Sequence, residues 1–220
     1  MSTEITVRGS YAAFQQPERG TAHVSISYEG ADMEPVYERV ATDLEAVKAS
    51  VLPLLDGERG PVTWWSAEQL RTWSAHPWNS DGEQLPLVHH ASVGVQVKFL
   101  DFQALSRWVG QHVADTEGFR LARVEWALTV KRRDELAKEV RTRAVHDAVT
   151  RAQQYADALG LGTVVPVAIA DVGMFKADGG FMAPQPRAMS AARSVPDVEF
   201  VPADIEVAAE VDARFLAEER

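Results

Sequence analysis

Between residues 22 and 130 the chain switches repeatedly between a two-residue and a 3.6-residue hydrophobic period, which constrains the fold more than any other feature. Ala22, Val24, Ile26 and Tyr28 alternate with His23, Ser25, Ser27 and Glu29, the pattern of a half-buried strand. Gly30 ends it. Val36, Val40, Leu44, Val47, Val51 and Leu54 then recur at three- and four-residue spacing, one apolar stripe of a helix. Asp32 is placed to cap that helix, and Pro35 lies near its first turn, where a missing N–H costs nothing. A short strand over Val62–Ser66 follows, then a loop rich in Trp, Pro and Gly from about Trp73 to Pro86. Val93, Val95, Val97 and Phe99 alternate with polar or small residues. Asp101 can cap a helix carrying Phe102, Leu105, Val109 and Val113, and Val124, Trp126, Leu128 and Val130 alternate again. The order strand–helix–strand–strand–helix–strand is the split βαβ, or ferredoxin-like, arrangement. It predicts an α+β fold: an antiparallel-rich sheet with helices on one face and a polar opposite face.

The ends add to this core. Ile5–Phe14 alternates in part and reads as a strand, closed by a turn at Pro17–Gly20. The longest helix is expected over Asp134–Leu159, with Val140, Ala144, Ala148, Ala152 and Ala156 as its stripe. Alanine there allows close approach of the helix axis to a sheet, and Gly160 is a natural C-terminal cap. Val164–Asp171 reads as a strand apolar on both faces. A loop over about 173–197 follows, and a closing strand alternates from Ile205 to Phe215. No internal repeat or linker divides the chain, so a single domain over 1–220 is expected, with that loop mobile or at an interface.

Composition narrows the function classes. At 46% hydrophobic and 25% charged, the 220 residues can build a core and are not disordered. The absence of Cys excludes disulfides, iron–sulfur clusters, Cys-containing zinc sites and thiol catalysis. A net charge of −10 argues against nucleic-acid binding by the whole surface. No apolar run approaches the ~18 residues of a membrane span. The first residues show neither a basic n-region nor an apolar h-region, so a cytoplasmic location is expected.

Catalytic motifs are wanting. His89 and His90, as strand neighbours, point to opposite faces and cannot chelate one metal together. No zinc-ligand spacing, Walker loop or nucleophile elbow is present, and the Gly160-Leu161-Gly162 triplet follows a helix rather than a strand. No cofactor, metal or catalytic residue is assigned. Two features instead suit interfaces. Trp64, Trp65, Trp73 and Trp78 lie close in sequence, and one of the adjacent pair Trp64–Trp65 must face away from the core. Phe175, Phe181 and Met182 give the 173–197 loop an apolar tip. Charge is uneven as well. Lys131–Arg143 holds six basic residues, among them Lys131, Arg132 and Arg133, against three acidic ones, a net of +3. Asp197–Arg220 holds eight acidic residues against two Arg, a net of −6, with Glu206, Glu210 and Asp212 expected on one strand face. The two stretches suit pairing between subunits or within one chain.

Several spaced features together resemble the SIMPL-domain family. They are Ile5-Thr-Val-Arg-Gly9; Val24–Glu29 before a helix with Ala41; and Val93–Leu100 leading into Asp101-Phe-Gln-Ala-Leu105. The most specific stretch is Arg143-Ala-Val-His-Asp-Ala148, followed by Arg151-Ala152, Tyr155-Ala156 and Leu159-Gly160. Val201-Pro-Ala-Asp-Ile-Glu-Val207 closes the match. Pro17-Glu18 departs from the family's usual Pro-Asp, and Ala203 from its usual Gly. The family includes bacterial oxidative-stress-defence and periplasmic immunogenic proteins, and mammalian relatives that bind a Pelle-like kinase. The resemblance implies an α+β fold, a tendency to ring- or channel-like homo-oligomers and an undefined biochemical role. The expectation is therefore a non-enzymatic, self-assembling protein, a stress-related scaffold or channel-like oligomer. Two alternatives stay open: a small-molecule binding protein or enzyme with a Trp-lined pocket near His89 or His90, and a binder of an anionic partner through Lys131–Arg143.

Overall fold

The computed structural model describes residues 2–56, 60–78, 84–174 and 200–219. Its elements run β1 (Ser2–Gln15), β2 (Arg19–Gly30), α1 (Met33–Val51), β3 (Val62–Ala67), β4 (Arg71–Ala75), β5 (Val88–Phe99), α2 (Phe102–Asp115), β6 (Phe119–Ala127), α3 (Val130–Ala158), β7 (Val165–Asp171) and β8 (Ile205–Glu218). They divide into two compact units. One gathers the described residues of Met1–Gln16, Leu128–Ser194 and Asp204–Arg220, and the other those of Pro17–Ala127 and Val195–Ala203. The fold is α+β, with antiparallel sheets and three α-helices among the described residues.

In the unit built on Pro17–Ala127, the sheet order is β3-β5-β2-β6 and every pairing is antiparallel. Alternation decides its faces. Ala22, Val24 and Ile26 of β2 and Ala91, Val93, Val95, Val97 and Phe99 of β5 are buried under the stripes of α1 (Val36, Val40, Val47, Val51) and α2 (Leu105, Trp108, Val109). Asp101 caps α2 as expected, its carboxylate accepting from the backbone N–H of Gln103 at 2.8 Å and of Ala104 at 3.0 Å. Asp32 holds the N-cap position of α1 without a side-chain cap bond.

The segment expected as a loop from Trp73 is strand as far as Ala75. Arg71–Ala75 pairs with Ser92–Val88, alongside the stretch of β5 that β3 leaves free. Thus β3 and β4 share one lane of the sheet, broken at Glu68, whose N–H still donates to the Gly94 carbonyl at 2.8 Å. All five residues of β4 are exposed, so it carries no alternation to read.

In the other unit β8 lies between β1 and β7, and β1 pairs with β8 along its whole length, from Ser2↔Glu218 to Gln15↔Ile205. α3 packs on β1 and β8 through Ala144, Ala148, Ala152 and Ala156, all fully buried against Ile5, Val7, Val211, Ala213 and Phe215. Gly9 is required at this contact: a Cβ there would overlap the Ala144 carbonyl oxygen and lie 2.6 Å from the Ala148 nitrogen. α3 ends in a Schellman motif. Gly160 takes φ of +71°, and the N–H groups of Gly160 and Leu161 return to the carbonyls of Asp157 and Ala156.

One expectation is corrected here. α3 begins at Val130 rather than near Asp134, because the Thr129 hydroxyl caps it by accepting from the Arg132 N–H at 3.3 Å. β6 accordingly stops at Ala127, and Lys131, Arg132 and Arg133 lie in the first turns of the helix. The strand expected over Val164–Asp171 is β7, which lies at the sheet edge with Val165 60%, Val167 56% and Ile169 56% exposed.

Candidate functional site

The sheet face opposite α1 and α2 is organised in rows set by register. Trp73, His90 and Glu29 form one row across β4, β5 and β2. The next is Arg71, Ser92 and Ser27, and beyond it lie Gly94, Ser25 and Arg120. Side chains in the middle of the last two rows are small, so the face is depressed between larger neighbours. β6 pairs with β2 only as far as Phe119↔Ile26. Past that point Ser27 donates to the Gly118 carbonyl at 3.1 Å, and Tyr28–Gly30 has no strand on that side among the described residues.

A cleft of about 570 Å³ forms at this corner, lined by Trp73, His90, Ser27, Ser92, Arg39 and Arg120 together with Tyr28, Glu29, Glu117 and Gly118. The volume lies in the range of small-molecule sites. Its aromatic wall is the Trp73–His90 stack, with ring centroids 5.0 Å apart and planes within 7°. His90 Nδ1 lies 3.3 Å from the Glu29 carboxylate. At the far end the Arg39 guanidinium covers the Tyr28 ring at 3.9 Å and binds Glu117 at 2.7 Å. The Tyr28 hydroxyl donates to Asp43 at 2.6 Å and accepts from the Gly118 N–H at 2.8 Å. Burial and then the Asp43 bond push the phenol above its usual pKa, so it remains a neutral donor. Arg120 donates through Nη1 to the Glu117 and Phe119 carbonyls at 2.6 and 3.0 Å, and has no acidic partner among the described residues.

The four interface-candidate tryptophans take separate places in the structure. Trp65 pairs with Val97 and turns to the core, whereas Trp64 pairs with Lys98 and is 43% exposed, its ring 5.3 Å from the Lys98 ammonium. Trp73 stands on the same face opposite His90, eight residues along β5 from Lys98, or roughly 27 Å at strand rise. Trp78 is 87% exposed. Phe175, Phe181 and Met182 lie outside the described residues.

Three of the charged candidates, Arg132, Glu210 and Asp212, find partners near at hand. Glu206, Glu210 and Asp212 share the outward face of β8, and Arg8 of β1 binds Asp212 at 2.8 Å and Glu210 at 3.6 Å. The bond from Arg8 holds the Asp212 carboxyl below its usual pKa. Arg132 binds the Gln15 side chain and lies 3.7 Å from Glu135, while Arg143 lies 3.6 Å from Glu139 with its guanidinium 5.3 Å from the Tyr11 ring centre. Lys131 and Arg133 are exposed. A shallow surface hollow of about 460 Å³ beside α3 is lined by Glu135, Lys138, Glu139, Thr142, Arg143 and His146, a mixture of both signs.

A further group escaped the sequence reading. His112 is buried between Trp108 and Phe119, with Nε2 2.7 Å from the Ser50 hydroxyl and Nδ1 3.4 Å from that of Thr116. Ser50 gives its proton to the Val47 carbonyl and accepts from Trp108 Nε1 at 2.9 Å. It therefore accepts from His112 too, which assigns the Nε2–H tautomer. Burial holds the imidazole below its usual pKa. This is a satisfied core network, not a nucleophile–base pair, because the serine proton is already committed. The spacing of Ser50 and Trp108 on two helices carried no local signal of it.

Among the described residues no helix is long and apolar enough to cross a membrane. A family model described as SIMPL, protein of unknown function (DUF541), matches residues 5–215. No curated protein matches the chain.

Proposed function

The chain belongs to the SIMPL family, and from that premise we propose that it acts as a non-enzymatic, self-assembling protein, a scaffold or channel-like oligomer in a stress response. The observation that carries self-assembly is β7. Its outer edge has no strand neighbour among the described residues, and Val165, Val167 and Ile169 are each more than half exposed. Exposed apolar edges of this kind are liabilities in a monomer and are ordinarily paired or covered. A second copy of the chain adding a strand there would satisfy both the backbone edge and the apolar side chains. The stress role rests on the family resemblance alone, and with no Cys in the chain it cannot run through a thiol. Sedimentation velocity at micromolar concentration tests the assembly: an oligomer is expected, shifted toward monomer by Val167→Lys with Ile169→Lys. A monomeric wild-type chain across that range overturns the reading.

A second reading has its own support. Trp73 and His90, separated by 17 positions in sequence, meet as one wall of the 570 Å³ cleft. The protein then binds a small molecule in this corner of the sheet. Ligand-dependent chemical-shift changes confined to Ser27, His90 and Arg120 would support it, and a metabolite panel without any would count against it.

A further inference from the structure

We propose that this cleft binds a planar aromatic monocarboxylate, its ring against the Trp73–His90 stack and its carboxylate on Arg120. The inference rests on the small-molecule reading and names the ligand chemistry. Three observations converge on it.

The first is an aromatic surface. Trp73 is 48% exposed although one ring face already lies on His90, so indole area remains open at the edge of the cleft. A ring packed there gains both area burial and quadrupole complementarity.

The second is an uncommitted guanidinium. Of its five N–H donors, Arg120 uses those of Nη1 on two backbone carbonyls, and among the described residues the others have no partner. These bonds hold the group in place and leave the Nε–H and Nη2–H fork, which matches a carboxylate in two parallel hydrogen bonds. Arg39 offers no such fork, since Glu117 and the Tyr28 ring already engage it.

The third is the floor. Ser27 and Ser92 face each other between the two walls and provide hydroxyls without bulk. From Trp73 to Arg120 the cleft crosses three strand spacings, roughly 14 Å, and four residues along the strand, roughly 13 Å. Trp73 and Arg120 stand at the two ends of that diagonal, and a single ring with a short carboxylate arm is the ligand we place between them.

The rim limits the charge. Glu29 and Glu117 line the cleft, and the Glu68 carboxylate rests over Gly94 in the row of Arg120. One negative charge meets Arg120, while a second would face these acids, so a dicarboxylate or phosphate is disfavoured.

The test titrates the full chain with phenylacetate and with its uncharged counterpart phenylacetamide, by calorimetry and by 1H–15N shifts. Phenylacetate is expected to bind at least about tenfold more tightly than the amide. Arg120→Gln should remove that preference by weakening the acid much more than the amide, and Trp73→Leu should weaken both to a similar degree. Ser92→Leu, which fills the floor, should abolish both while the far-UV spectrum stays that of the wild type. Equal binding of acid and amide, with both lost in Trp73→Leu, overturns the carboxylate assignment but keeps the cleft as a ligand site. Binding of neither compound overturns both.

Discussion

The two units bury their helices by opposite means. In the unit built on Pro17–Ala127, α1 and α2 stand off the sheet on large side chains; Phe99, Phe119, Ile26 and Leu105 are its bulkiest fully buried groups. In the unit of β1, β7, β8 and α3, the helix lies against the sheet almost backbone to backbone, over Gly9 and four buried alanines. A core of the first kind fails when volume is removed, because the surroundings collapse only partly around the hole. One of the second kind fails when volume is added, because nothing flexible stands in the gap. The same chain therefore carries two mutational signatures. All six Trp residues lie between Trp64 and Trp126, so indole fluorescence reports one unit only, whereas far-UV circular dichroism reports both.

The largest effect is expected from Phe99→Ala, at about 3–5 kcal/mol lost from the Trp-monitored urea transition. Tolerance of that change would break the contrast at once. Ala148→Leu comes next, at about 1–3 kcal/mol, because Ala148 is fully buried directly under Gly9. Its loss should appear in circular dichroism with little movement of the fluorescence transition. Coincident shifts of both signals would mean that the two units unfold as one cooperative body and would sharpen the contrast into a purely local one.

The contrast also explains what was legible in the residues. Strands β2 and β5 and helices α1 and α2 each bury one face and wet the other, so period alone reveals them. The alanine stripe of α3 was legible for the same reason, and the Asp101 cap by its residue type and place before the stripe of α2; the need for glycine at position 9 was not. β4 was not, because none of its residues is buried; only its pairing with β5 makes it a strand. β7 was legible as an apolar strand but not as an edge: among the described residues α3 packs mainly on β1 and β8 and leaves β7 outside them. Val130 fits a strand alternation and a helix start equally well, and the Thr129 cap decides between them. The cleft was half legible. Trp73 and His90 were each singled out, but the register that stacks them and the early end of β6 that opens the corner are tertiary facts.

A polar group inside the large-residue core gives the third effect. Ser50→Ala removes the acceptor of both Trp108 Nε1 and His112 Nε2 and should cost about 1–3 kcal/mol, as two buried donors lose their partner. His112 also ties this unit to pH. Its folded pKa is depressed by burial, so below the ordinary value of about 6.5 the unfolded chain binds a proton that the folded one does not. Stability of the Trp-reporting unit is then complete above that pH and declines as pH falls through it toward the folded value. The slope between about pH 7 and 5 should flatten in His112→Gln. An unchanged slope would assign the acid sensitivity to other groups.

The smallest effect belongs to the other unit, at Arg8 and Asp212 on the outward sheet face. The bond is short and comes with a second partner in Glu210, but the Arg8 side chain is 46% exposed, so solvent and salt screen it. Arg8→Ala is expected to cost less than about 1 kcal/mol in the circular-dichroism transition, and nothing in fluorescence. The sign with pH is opposite in origin to that of His112 but alike in direction. Asp212 has a depressed folded pKa, so the contribution is present above the ordinary carboxylate range and is lost as pH falls through the folded value, lower than the window of His112. Two acid transitions at different pH, one seen in fluorescence and the lower one in circular dichroism alone, would follow from that separation. A loss well above 1 kcal/mol for Arg8→Ala would mean instead that this face is desolvated in solution, which is what a second copy of the chain seated on the sheet of β1 and β8 would do.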